Sequence, residues 1–175
     1  MKKQLGQSIA SVFASVRTSV ITSAITLIAL AGCAVAPPAT TVIIPAGQQA
    51  AYVKYHYAPA IRVGDTVILS GIPAWKGDTY DQKIRFMFER AKSTLEAAGS
   101  SMDDVVEITT FHQNAKDTAS FNKEFAEFVK IQGEYFKAKY PAWTAVGVTA
   151  LLAEDAPVEM RLVAVVGSGK NVSIK

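Results

Sequence analysis

The chain has 175 residues, half of them hydrophobic, which is enough for one ordinary domain and short for two. Its formal charge of +3 comes from the N-terminus: Lys2, Lys3 and Arg17 precede Cys33 with no acid among them, leaving 15 positive and 15 negative charges from Cys33 onward. A neutral body offers no global attraction to nucleic acid, and a single cysteine excludes both an intrachain disulfide and a cysteine-based metal cluster.

Residues 1–32 read as a secretory leader, with a long basic n-region and an apolar run at 20–31 softened by Thr22, Ser23 and Thr26. The leader ends in Leu30-Ala31-Gly32-Cys33, which resembles a bacterial lipobox. Small residues there admit the signal peptidase, and the cysteine thiol is diacylated before cleavage. The resemblance implies a lipid on Cys33, and Ala34 in place of aspartate implies an outer-membrane address facing the periplasm. Two alternatives stand beside it. One is an N-terminal membrane helix, although a span needs about 20 apolar residues and this run is shorter. The other is a non-lipid cut after Ala34-Val35-Ala36, which would leave Pro37 behind the scissile bond.

Residues 33–50 are then the lipidated cysteine and an extended linker, since Pro37, Pro38 and Pro45 interrupt small and β-branched residues without helical periodicity. A single domain is expected over 51–168, with 169–175 as a loose tail. Gly167-Ser168-Gly169-Lys170 is not a phosphate loop, because Asn171 follows the lysine and the upstream glycine is missing.

Within the domain, residues 51–57 and 61–70 are expected as strands, the second run being a hairpin turned at Gly64-Asp65. Residues 81–98 are expected as a helix, with Ile84, Phe88, Ala91 and Leu95 on one face and Gly99 as its stop. A strand at 105–112 follows. A helix at about 118–138 is capped by Asp117 or Thr118 and striped by Phe121, Phe125, Phe128 and Tyr135. Strands at 143–149 and 158–166 complete the order β-β-β-α-β-α-β-β. Two helices on one face of a mixed sheet make a two-layer α+β domain. The other sheet face, rich in Val, Ile and Ala, would be left bare, and an oligomer normally hides such a face.

At this point the residues match a known pattern. The run from Arg62-Val63-Gly64-Asp65 to Ser70-Gly71 looks like the first hairpin of the RidA/YjgF family. Leu95-Glu96-Ala97-Ala98-Gly99 resembles the end of that family's first helix, and Asp104-Val105-Val106 to Phe111, with Asp117 and Asn122, its next strand and helix start. Pro141-Ala142 and Pro157-Val158-Glu159 are similar to the openings of its last two strands. The similarity runs from about Tyr52 to Val166. It implies a chorismate-mutase-like fold, a homotrimer, and three ligand clefts between subunits. In relatives that hydrolyse imines or enamines, a glutamate of the last strand positions water, a tyrosine and a glycine line the cleft, and an arginine clamps the substrate carboxylate. By position these are Glu159, Tyr57, Gly71 and, in place of the arginine, Trp143. Indole has one donor and no charge, so it cannot act as that clamp.

Each residue also has a structural reading. Glu159, Arg161, Val163 and Val165 share one strand face, so Glu159 is either a general base with a raised pKa or one half of a Glu159–Arg161 pair on a wet rim. Arg161 is also the candidate for a relocated cation. Trp143 shares a face with Ala145 and Gly147, so it either walls a slot for a flat ligand or fills the old cleft. Tyr57 either hydrogen-bonds a ligand or water, or caps an aromatic run. His56 and His112 read as structural or solvated. Neither a metal site nor a cofactor site is expected, nor a nucleic-acid partner. The expected function is that of an envelope lipoprotein binding a small molecule between subunits, as a deaminase-like hydrolase of a non-standard imine or enamine. The alternative is a non-catalytic, membrane-anchored trimer that holds a ligand or partner.

Overall fold

The computed structural model describes residues 36–137 and 139–175. The leader, its lipobox and Cys33 lie outside the described residues. Among those described, no helix is long and apolar enough to cross a membrane.

The hairpin forms as expected. Strand β2 (Ala60–Val63) turns at Gly64 and Asp65 into β3 (Thr66–Pro73), with Arg62 opposite Val67 and Val63 opposite Thr66. Gly64 takes φ +58°, a conformation that glycine adopts without steric cost. The first long helix, α2 (Tyr80–Ala97), opens with a capping box. The Thr79 hydroxyl accepts from the Gln82 amide, and the Gln82 side chain accepts from the Thr79 amide. Its buried face carries the expected Ile84, Phe88, Ala91 and Leu95. Strand β4 (Val105–His112) has the expected bounds. The second long helix, α3 (Thr118–Tyr135), is capped by Asp117 and stops three residues short of the expected end. Strands β5 (Ala142–Gly147) and β6 (Val158–Val165) follow.

The N-terminal part departs from expectation in two places. Residues 51–57, expected as a strand, lie in a two-turn helix, α1 (Gln49–Tyr55), closed by His56 in the left-handed region. The missing strand lies earlier: β1 (Thr40–Ile43) pairs antiparallel with β2, inside the segment expected as a spacer. That segment is extended, as its prolines imply, but its amides and carbonyls are spent on a neighbour, and residues 37–175 pack as one unit. The tail is also held: the Gly169 amide donates to Asp104 Oδ1, and the Ser168 hydroxyl to the Asp104 carbonyl.

The six strands form one mixed sheet in the order β1-β2-β3-β6-β4-β5, with only β4 and β5 parallel. Parallel neighbours need a crossover, and α3 supplies it. The core lies between this sheet and the two long helices. Val158, Met160, Leu162 and Ala164 point into it from β6, against Met87, Phe88 and Phe128. The alternate residues point to the other face, where Ile68, Phe111, Val146, Val163 and Val165 stay partly or fully exposed. The architecture is thus the two-layer α+β fold expected from the sequence.

Candidate functional site

Strand β3 carries an irregularity between Leu69 and Ile72, and Gly71 lies within it. Two hydrogen bonds clasp this bulge to the preceding loop: the Ser70 hydroxyl donates to the Ala58 carbonyl at 2.7 Å, and the Ser70 amide to the Pro59 carbonyl at 3.0 Å. The clasp places Tyr57 beside Gly71 in the wall of a recess of about 110 Å³, shared with Gln48, Trp75 and Arg90. Glu159, level with Pro73 on β6, lays its carboxyl over Gly71. A side chain at position 71 would meet that carboxyl, since a β-carbon there would lie 2.8 Å from the Glu159 Cδ. Glycine at this position therefore lets the carboxyl rest against the backbone, and any larger residue would push the Glu159 side chain aside. Glu159 is half-buried, and burial raises its carboxyl pKa above the usual range. No hydrogen bond from the described residues engages that carboxyl, so it is available as a base.

The other expected site residues lie elsewhere. Glu159 is level with Phe111 on the open sheet face, whereas Trp143 is level with Ile108 and Leu162 on the helix face. The Trp143 ring stacks on Phe125 with centroids 4.6 Å apart and contacts Phe128. Ala145 lines a separate shallow recess of about 310 Å³ with Phe121 and Gly147, at the start of α3. Arg161 does share the face of Glu159, but its partner is Glu107 at 3.3 Å, so the expected Glu159–Arg161 rim pair does not form. One chain therefore lays Glu159 against Gly71, sets Tyr57 in the recess that Gly71 also lines, and holds Trp143 and Ala145 apart from Glu159.

A third group was not foreseen. The Trp143 indole N–H donates to Thr110 Oγ1 at 3.0 Å, and His112 Nε2 lies 2.9 Å from the same oxygen. Indole can only donate, so Thr110 accepts from it and keeps both a proton and a second lone pair for His112 Nε2. His112 Nδ1 lies 3.3 Å from Glu124 Oε1, which also accepts from the Tyr80 hydroxyl at 3.3 Å. Burial, and after it the Glu124 carboxylate, raises the Tyr80 phenol above its ordinary pKa, so it remains a donor. Glu124 Oε2 is enclosed and accepts from none of the described residues. Such an acceptor costs about 1–3 kcal/mol, and more when charged. The signal for this group was in the α3 stripe: Glu124 falls between Phe121 and Phe128, on the face meant for the core. His112, expected to be structural or solvated, is fully buried. Among the described residues, no group of three or more acids, histidines or cysteines could hold a metal ion.

A mixed sheet with two long helices on one face, and a half-buried carboxyl over a glycine at a strand bulge, make this a small two-layer α+β protein. Residues 47–166 match the family model described as Endoribonuclease L-PSP, and the chain belongs to this family, that of RidA and YjgF. It is 35% identical over 121 residues to the RutC family protein YjgH of Escherichia coli, which covers 66% of this chain and 88% of that protein. It is 31% identical over 117 residues to the 2-iminobutanoate/2-iminopropanoate deaminase of Dermatophagoides farinae, covering 63% and 85%. The solved structure of YjgH superposes with a TM-score of 0.62 at 32% identity, over 72% of this chain and 95% of that one. A member of the YjgF/YER057c/UK114 family from Mycobacterium tuberculosis, at 24% identity and TM-score 0.62, shares the fold over 73% and 100%.

Proposed function

We propose that this protein is a lipid-anchored trimer that binds a small molecule in clefts between protomers and hydrolyses a C=N bond there. The observation that carries the proposal is the half-buried Glu159 carboxyl, unengaged and lying against Gly71, a residue that also lines the Tyr57 recess. Its raised pKa makes it a stronger base toward water. As a water oxygen bonds to the imine carbon, Glu159 takes one water proton. Glu159 passes that proton to the nitrogen as the C=N π bond opens; in the collapse it takes the carbinolamine hydroxyl proton and returns it to the nitrogen as the C–N bond breaks, giving a carbonyl compound and a free amine. Tyr57 orients the water or the substrate. In a ring of identical copies, the recess that Ala145 lines could face the Glu159 of a neighbouring protomer.

The substrate of this site lacks the carboxylate of an ordinary 2-imino acid. Trp143 supplies no cation and Arg161 is already paired with Glu107, so Arg90 in the wall of the Gly71 recess is the remaining guanidinium to test by Arg90→Ala. One observation favours the alternative of a binding protein without catalysis: Trp143 is stacked into the helix layer, as a packing residue would be. Steady-state assays decide between the two. Expected are negligible release of ammonia from 2-iminobutanoate or 2-iminopropanoate, and turnover of a carboxylate-free imine that falls about 100-fold or more in Glu159→Gln. Rapid deamination of the imino acids by the natural chain overturns the reading of Trp143. If no imine is turned over while an uncharged aromatic ligand raises the melting temperature, the binding reading holds.

A further inference from the structure

The recess of about 110 Å³ that Gly71 lines also holds two groups that the imine reading does not use, Gln48 and Arg90. Gln48, the residue ahead of α1, is only 7% exposed. Its backbone is spent: its amide donates to the Pro45 carbonyl and its carbonyl accepts from the Tyr52 amide, both at 3.1 Å. Its side-chain amide makes no hydrogen bond with any of the described residues. Neither polar atom of that side chain is sealed off, so the little of Gln48 that is accessible opens onto the cavities it lines. A nearly buried amide without a partner is costly unless something outside the chain supplies the bond.

Arg90, on α2, is partly exposed and lines the same recess. Among the described residues its guanidinium has no carboxylate partner: Glu134 is taken by Arg85, and Glu89 accepts from the Tyr135 hydroxyl. No acid lines the recess. The hydroxyls in its wall are already committed, Ser70 to the Ala58 carbonyl and Thr94 to the Arg90 carbonyl. What remains is one guanidinium and one amide, beside the apolar Pro59, Ile72 and Trp75. A guanidinium presents two parallel N–H donors that match a carboxylate, and the amide adds a further donor. A single positive charge next to an amide carbonyl suits a monoanion better than a phosphate dianion. The apolar walls and small volume suit a short hydrocarbon body.

We propose that this recess binds a small monocarboxylate, its carboxylate held by Arg90 and Gln48 and its hydrocarbon end against Pro59 and Ile72. Arg90 belongs to the helix side of the sheet, whereas Glu159 lies on the open face. The site therefore goes beyond the imine reading and does not depend on it.

Calorimetric titration of the full chain at pH 7 with sodium butanoate tests it, with butanamide, sodium phosphate and NaCl at matched ionic strength alongside. The expected result is saturable binding of one butanoate per chain, about tenfold or more tighter than butanamide or phosphate. Arg90→Gln should bring butanoate down to the butanamide level and leave butanamide binding unchanged. Glutamine is a good helix former, so this change on a partly exposed helix position should keep the fold. Gln48→Leu should weaken butanoate about fivefold, a smaller loss than that of the charge. Arg85→Gln, which removes a guanidinium of the same helix outside the recess, should not weaken it. Heats equal to those of NaCl, equal affinity for butanamide, preference for phosphate, or an Arg90→Gln chain that binds butanoate as the natural chain does each overturn the proposal.

Discussion

The Glu159 carboxyl is easier to keep protonated in the folded chain than in the unfolded one, because burial disfavours its charge. Its folded pKa lies above its unfolded value, so the contribution to stability is fully present below the unfolded pKa and is lost as pH rises through the folded one. Glu159→Gln removes this dependence. Denaturant unfolding followed from pH 4 upward should show the natural chain losing stability relative to the variant across that window. Parallel curves would mean that the carboxyl is as well solvated folded as unfolded. Trp143 gives a second test at this scale. Trp143→Arg inserts a guanidinium against Phe125 and removes the donor to Thr110. The expected loss is about 2–4 kcal/mol in chemical denaturation, within the range for truncating a packed aromatic and burying an unpaired charge. The partition of these residues was only half legible in the sequence. Alternation correctly put Glu159 with Arg161 and Trp143 with Ala145. Which of the two faces each pair occupied depends on strand order, which alternation does not encode.

Elements with strong periodicity were readable because one face of each had to be buried. Helices α2 and α3, the β2–β3 hairpin, β4 and β6 all follow from such patterns. Strand β1 and helix α1 did not, for different reasons. Strand β1 is an edge strand with one partner and no buried residue, so nothing in its sequence needs to alternate. Helix α1 contains Tyr52, Val53 and Tyr55, which favour strands, and buries none of its residues. Its conformation follows from where the chain must travel between β1 and β2. The capping box of α2 was not read from the sequence and carries a prediction. Thr79→Ala should cost about 1 kcal/mol in thermal or denaturant unfolding, without altering ligand binding in the Gly71 recess. Gly169 belongs to the same scale. A β-carbon there would lie 2.6 Å from the Asp103 carbonyl oxygen, so Gly169→Ala should lower the melting temperature, whereas the same change at Gly133, which has open space around it, should not through any clash.

The sheet face opposite the helices exposes Ile68 and Val146 beside Phe111, Val163 and Val165, with Arg161–Glu107 among them. A monomer with that face in water is prone to associate. A chain beginning at Pro37, which keeps β1, should be soluble without detergent and show about three times the monomer mass in light scattering. Ile68→Asp should shift it toward the monomer, and a monodisperse monomer from the natural sequence would remove the proposed clefts. Cys33→Ser should release the full-length protein from membranes or leave it unprocessed, and unchanged fractionation of a matured Cys33→Ser chain argues against the anchor. Because Thr40 already belongs to the sheet, only seven steps of chain separate it from Cys33. Even fully extended, that leash reaches about 25 Å. Rotational symmetry would bring three such leashes to one side of a trimer. In the acylated trimer proposed above, detachment would require three lipid-bearing ends to leave almost together, and each one that slipped would be returned by the other two before it could diffuse away.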